Sequence, residues 1–315
     1  MTVKHKLTRR SFLNVLGAAG IVTPFGCASL QKSDPDPRHL YLPKGPPVSK
    51  KFLIVAMMGD PQLGMTPTTP EHVKAAMNDF AELEWDFMSI LGDLVQNQAP
   101  LYADYQRGVV EKTSTPIYAL AGNADLGAGL ESYQKATGLP LWYCLKARGI
   151  RFLFTSTTIM TGKHRHICHM GPEQLQWLKT ELARDTKSTT VIFSHPPVFE
   201  TTWHSEERDH LKAPGSMYLA ESAEMRELFA QYANIKVFAH GHLHHGYGVV
   251  DEFGRSGHHF DNGVLHISVG ATANDQGSKF LFVEKDKIIV KSRDHGKKKW
   301  LDDLEYVYPI KTTLK

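Results

Sequence analysis

Five segments of the chain set a metal-ligand side chain directly after a short apolar run. Phe52 to Met58 leads to Gly59-Asp60-Pro61-Gln62, and Phe87 to Leu91 leads to Gly92-Asp93. Pro116 to Ala121 leads to Gly122-Asn123, and Thr190 to Ser194 leads to His195. Ile235 to Ala239 leads to His240-Gly241-His242-Leu243-His244-His245. Any one of these is ordinary: Gly-Asp is a common turn pair, Asn after Gly suits a left-handed residue, and a lone His is usually structural. The five together carry more weight. Two carboxylates, a carboxamide and imidazoles without a thiolate suit Mn, Fe or Zn, and argue against Fe–S clusters or Cu(I). Histidine is also unevenly spread, with 13 of the 17 lying between His164 and His266.

The elements that must position these groups follow from the same runs. Four to seven apolar residues bounded by Gly or Pro read as strands buried on both faces. Helical spacing separates them: Val73, Met77, Phe80 and Leu83 share one face, and Leu175, Leu178 and Leu182 follow Pro172 at a first helical turn. Trp177 on that second helix reads as a core aromatic. Ligands gathered beyond the carboxyl ends of sheet strands lie where open α/β folds build their sites. The tail reads as two last strands, Lys279–Glu284 and Lys287–Lys291, with lysines on a solvated edge.

The order Asp…Gly-Asp…Gly-Asn…His…Gly-His-x-His over Phe52 to His245 resembles the calcineurin-like metallophosphoesterase superfamily. That resemblance implies a four-layer α/β/β/α sandwich, two mixed sheets flanked by helices, with the ligand loops at one rim. It implies two divalent or trivalent metal ions, Mn, Fe or Zn. Asp60, Gln62, Asp93 and His244 would hold one ion; Asp93, Asn123, His195 and His242 would hold the other, with Asp93 shared. Asp93, Asn123 and His195 are then the catalytic residues. The implied reaction is hydrolysis of phosphomonoesters or phosphodiesters by direct attack of a metal-bridging hydroxide, on a phosphorylated small molecule or phosphoprotein.

The chain departs from the superfamily pattern twice. The usual Asp-x-His reads Asp60-Pro61-Gln62, as in an Asp-Pro-Gln branch of the superfamily, and a neutral Gln oxygen is a weaker ligand than imidazole. The usual Gly-Asn-His-Asp reads Gly122-Asn123-Ala124-Asp125, so the histidine that protonates the leaving group is absent. His204, His210, His240 and His245 are substitute donors by composition, ahead of Asp125. The run His164-Arg165-His166-Ile167-Cys168-His169 reads either as a cationic rim for phosphate or as a solvated loop. The missing donor also motivates a different class of reading, a metal-binding protein of this fold that holds a phosphate ligand without efficient turnover. A metal-dependent amidase on the same scaffold is a third.

The 315-residue chain is 42% hydrophobic and 22% charged, which excludes collagen-like, wholly disordered and polytopic membrane classes. Three cysteines cannot supply a disulfide framework at this length. The net charge of +3 rests on Lys4, Lys6, Arg9 and Arg10 in an acid-free start, so no nucleic-acid-binding module is expected. Thr8-Arg9-Arg10-Ser11-Phe12-Leu13 resembles the twin-arginine export signal, and the apolar stretch Phe12 to Gly26 is too short to span a bilayer. Residues 1–27 therefore read as an export signal, and the twin-arginine machinery as a partner. The expected location is periplasmic or cell-envelope, with Cys27 in Gly26-Cys27-Ala28-Ser29 as a candidate lipid anchor. Five prolines mark residues 28–50 as an extended linker, leaving 51–315 as the folded domain. An oxidising compartment would also permit Cys144 and Cys168 to pair.

Overall fold

A computed structural model describes residues 36–49, 51–161, 167–199, 201, 218–244 and 258–310. In chain order the first elements are β1 (His39–Tyr41), β2 (Leu53–Met58), α1 (Thr69–Phe80), β3 (Phe87–Leu91) and α2 (Tyr102–Gly108). Next come β4 (Ile117–Leu120), α3 (Asn123–Ala128), α4 (Leu130–Thr137), β5 (Trp142–Ala147), β6 (Ile150–Thr155), β7 (Ile159–Thr161) and β8 (Ile167–His169). Then follow α5 (Pro172–Arg184), β9 (Thr190–Ser194), α6 (Ser222–Gln231), β10 (Ile235–His240), β11 (His258–Asp261) and β12 (Val264–Ser268). The last are α7 (Thr272–Asp275), β13 (Gly277–Val283), β14 (Lys287–Asp294) and β15 (Lys299–Pro309).

Two large mixed sheets result, in the four-layer arrangement that the superfamily resemblance implies. One has six strands in the order β15-β14-β13-β2-β3-β4, the other seven in the order β1-β5-β6-β9-β10-β12-β11. Strands β2, β3 and β4 run parallel in the first sheet, and β6, β9, β10 and β12 do so in the second. The sheets face each other through aromatic side chains: Phe87 meets Phe152 at 5.0 Å between ring centroids, and Tyr118 meets Phe154 at 6.3 Å.

Alternation explains why these strands are apolar on both sides. Phe152, Phe154, Val191, Phe193, Val237 and Ala239 point between the sheets. Their neighbours Leu153, Ile192 and Phe238 point outward, where Trp177, Leu178, Leu182, Leu228 and Phe229 of α5 and α6 cover them. Trp177 is thus a core residue, as its helical spacing suggests.

Helix α1 covers the six-stranded sheet. Val73, Ala76, Met77 and Phe80 are buried on one face, and the helix ends before Leu83. Phe80 packs on Phe280, with centroids 5.7 Å apart. The buried Asp79 carboxylate anchors the contact, accepting two bonds from Arg293 (2.8 and 2.7 Å) and one from His295 Nδ1 (2.7 Å). Burial alone would raise this carboxyl, but those donors outweigh it and hold it below its ordinary value.

Two expectations need correction, and the open question of the cysteines is answered. The fold does not begin at Lys51. Residues His39–Tyr41 pair in parallel with β5, and His39 is buried 3.0 Å from Glu181. A buried polar side-chain contact and backbone pairing fix this edge strand, and composition reports neither. The tail holds a third strand, β15, which pairs with β14 while exposing most of its side chains. Cys144 and Cys168 are both buried free thiols, and Cys168 Sγ lies 3.7 Å from Met160 Sδ. Burial pushes each thiol up to about 12. Residues 1–35, with the export motif and Cys27, lie outside the described residues.

Candidate metal centre

All seven side chains singled out by the sequence come together where the parallel strands end. Asp60 and Gln62 follow β2, Asp93 follows β3, and Asn123 opens α3 after β4. His195 follows β9, while His242 and His244 follow β10. Both sheets therefore deliver ligands to one rim.

The local backbone explains the recurring Gly-ligand pattern. Asp60, Gln62, Asp93, His242 and His244 all have positive φ, between 36° and 67°. Non-glycine residues seldom adopt this region, and Asp, Asn and His tolerate it best. Each chain turns sharply as it leaves its sheet, aiming the side chain back over the strand ends. Gly122 serves close approach instead: a β-carbon there would collide with Asp93 Oδ1 and lie 2.8 Å from His195 Nε2.

The donor atoms form two overlapping groups. Ligand atoms of Asp60, Asp93 and His244 all lie within 4.8 Å of one another. His195 Nε2 lies 2.9 Å from Asn123 Oδ1, 3.1 Å from His242 Nδ1 and 3.3 Å from Asp93 Oδ1. Asp93 belongs to both groups. His195 Nδ1 donates to the Leu91 carbonyl at 2.8 Å, which fixes its ring and leaves Nε2 facing the cluster. Asp60 accepts the His242 amide through both oxygens, at 3.2 and 2.9 Å.

Charge is concentrated here away from water. Burial opposes ionisation of both Asp93 and His195, yet their mutual attraction wins. The Asp93 carboxyl is held below its usual range and the His195 imidazole is raised to about 9. Burial and the neighbouring His195 drive His242 down to about 3, so it stays a neutral lone-pair donor. Gln62 Oε1 is buried without a hydrogen-bond partner. A buried acceptor left unsatisfied beside the Asp93 carboxylate fits a cation. The residues present thus suit the metal ions that the sequence pattern calls for.

Two further groups shape the loops. Asp125 is fully buried, and accepts from the amides of Leu94 (3.1 Å) and Gly122 (2.9 Å) and from the Tyr102 hydroxyl (2.9 Å). It ties the Asp93 loop to the Asn123 turn, and burial with the nearby Asp93 charge raises its carboxyl to about 7. With its oxygens engaged, it is a brace between loops, a role the sequence did not disclose. Gln96 was also missed, because a glutamine three residues beyond Asp93 has no distinguishing pattern. Among the substitute donors, His240 is buried with Nδ1 on the Gly241 carbonyl, and burial drives it down to about 4. His204, His210 and His245 lie outside the described residues. In the His164–His169 run, only Ile167, Cys168 and His169 are described. His169 Nε2 bonds Thr161 at 2.7 Å, and its Nδ1 lies 3.7 Å from Glu221.

A fold of two facing mixed sheets with histidine, carboxylate and carboxamide side chains at the strand ends defines a metal-dependent hydrolase scaffold. The calcineurin-like phosphoesterase family model matches residues 54–246, more than half of the chain, and the chain belongs to that family. It is a metallophosphoesterase, a phosphoric ester hydrolase whose family uses divalent metal ions. The chain is 24% identical over 196 residues to a probable cyclic nucleotide phosphodiesterase of Synechococcus sp., covering 61% of this chain and 71% of that protein. A dimetal phosphatase from Danio rerio shares the fold with a TM-score of 0.58 at 12% identity, over 82% of this chain and 99% of that one. The purple acid phosphatase PPD1 from yellow lupin (Lupinus luteus) gives 0.61 at 14% identity, over 86% of this chain and 56% of the plant protein. This chain thus spans little more than half of the lupin enzyme.

Proposed function

We propose that the protein is an exported dinuclear metallophosphoesterase acting on phosphomonoesters or phosphodiesters. One observation carries this reading: the two ligand groups share Asp93, so a single carboxylate can serve two cations. Asp60, Gln62 and His244 would complete one site, and Asn123, His195 and His242 the other. Bound there, the ions would neutralise a phosphoryl group and activate water for in-line attack. The chain's own residues do the rest. The Leu91 carbonyl holds the His195 ring, and Asp125 holds the Asp93 loop against the Asn123 turn. No Ser or Cys nucleophile is needed.

The relative named as a probable cyclic nucleotide phosphodiesterase makes diesters the first substrates to try. Hydrolysis of bis-p-nitrophenyl phosphate alongside p-nitrophenyl phosphate, after Mn loading, tests the reading. Metal uptake without turnover of either ester would instead support a binding protein of the same fold, the reading that Ala124 favours. Export rests on Thr8-Arg9-Arg10-Ser11-Phe12-Leu13 and the apolar stretch behind it. Replacing Arg9 and Arg10 with lysine should strand the protein in the cytoplasm, and fractionation of cells reads the outcome. Labelling with a radioactive fatty acid, compared with Cys27→Ser, tests the lipid anchor.

A further inference from the structure

Glutamine can ligate a cation only through its oxygen, and a half-turn of the amide would present two hydrogens instead. Gln62 therefore needs something to choose its orientation. The two loops that carry the relevant groups are zipped together. The Gln62 amide donates to the Asp93 carbonyl at 2.8 Å, Leu63 to Leu94 at 3.1 Å, and Gln96 back to Leu63 at 2.9 Å. This register sets the Gln96 side chain against that of Gln62. Gln62 Nε2 donates to Gln96 Oε1 at 2.8 Å and to Asp93 Oδ2 at 3.3 Å. Both amide hydrogens are used, and Oε1 is left buried and unpartnered.

We infer that Gln96 is a positioning residue that holds the Gln62 amide by its nitrogen and so keeps its oxygen free for a cation. Asp93 is itself a ligand, so Gln96 is the acceptor that stays available whatever Asp93 engages. The inference rests on the metal-centre reading above. Outer partners of ligating side chains are typically worth about 10–100-fold in metal affinity.

Calorimetric titration of the full chain with Mn²⁺ tests it. Gln96→Leu should weaken binding about ten-fold or more, while Gln96→Glu, which keeps an acceptor and adds a negative charge, should bind at least as tightly as the wild type. In a Gln62→Ala background no amide remains to be oriented, so adding Gln96→Leu should cost nothing further. Equal losses in both backgrounds, as a misfolded or merely structural variant would give, would overturn the inference. So would wild-type affinity in Gln96→Leu. Asp93→Asn separates the two claims: unchanged Mn²⁺ binding there refutes the metal-centre reading itself. Weakened binding there with Gln96→Leu unaffected refutes only the role of Gln96.

Discussion

The backbone amide of Ala124 donates a 2.7 Å hydrogen bond to Oδ1 of Asp93. The position that lacks a general-acid side chain thus still steers the carboxylate shared by both ligand groups. That carboxylate is 1% exposed, and it is held between Ala124, His195 and Gln62. Its geometry is set by three loops at once, which makes it the most informative residue to change.

Asp93→Asn should abolish hydrolysis and reduce bound metal to one ion or none. The substitution removes the charge common to both groups and places an amide beside His195. The loss in metal affinity should exceed the roughly 10–100-fold of an outer-partner change. Metal analysis of the purified variant checks this, and wild-type metal content would contradict the assignment of Asp93.

Gly122→Ala tests close approach apart from backbone strain. The φ of Gly122 is −98°, which alanine adopts freely, so only the added methyl matters. That methyl would collide with Asp93 Oδ1 and with the Asp93 backbone nitrogen, and crowd His195 Nε2. The variant should lose metal binding and activity and melt below the wild type. Gly108→Ala at the end of α2 is the matched control, since nothing lies within 4 Å of its added carbon. It should keep full activity and gain up to about 1 kcal/mol of stability from helix propensity. Circular dichroism melts with metal titrations distinguish the pair.

Lys279 offers a test of stability against pH. Its side chain is fully buried in β13, and Nζ donates to Ser292 Oγ at 2.9 Å. Burial lowers its pKa from 10.5 to about 7. Because the folded value lies below the unfolded one, the charged form is disfavoured on folding. The penalty is absent above 10.5, grows as pH falls, and is complete below about 7. Lys279→Met should therefore stabilise the protein by a few kcal/mol, on the order expected for removing a buried unpaired charge. Urea unfolding across this range should show the gain at neutral pH shrinking as pH rises toward 10.5. A gain that is constant with pH would point to packing instead.

The ligands were legible because each lies in a polar cluster at the end of an apolar run, with Asp60, Asp93, Asn123 and His242 directly after a glycine, and the structure gives a reason in the left-handed turns at Asp60, Asp93 and His242. Those strands were legible too, since burial on both faces demands continuous apolar sequence. Strand β1 was not, because three residues held by edge pairing and the His39–Glu181 contact leave no periodic trace. Strand β15 escaped for a related reason: Asp302, Asp303 and Glu305 face solvent, and its pairing with β14 is a backbone matter. Gln96 and Asp125 act through partners in other loops, and a single sequence carries no record of such neighbours.

Ala124→His bears on the chemistry itself. Asn123 and Asp125 on either side are fixed, one against His195 and the other as the brace across Leu94 and Gly122. The side chain of residue 124 is therefore the free variable in this turn, and it is buried as alanine. An imidazole there would add a proton donor beside the proposed metal centre. Alkyl phosphates, whose leaving oxygen is strongly basic, should gain most, by at most the roughly 10²–10⁴-fold of a positioned general acid. Activated aryl phosphates should gain little, because their leaving oxygen scarcely needs a proton. The comparison is made in variant protein that retains wild-type metal content and melting temperature. Rates across a series of leaving groups then separate the cases. A slope that flattens toward basic leaving groups marks acid catalysis, a uniform gain marks tighter binding, and no gain with metals intact means that another group already supplies the proton.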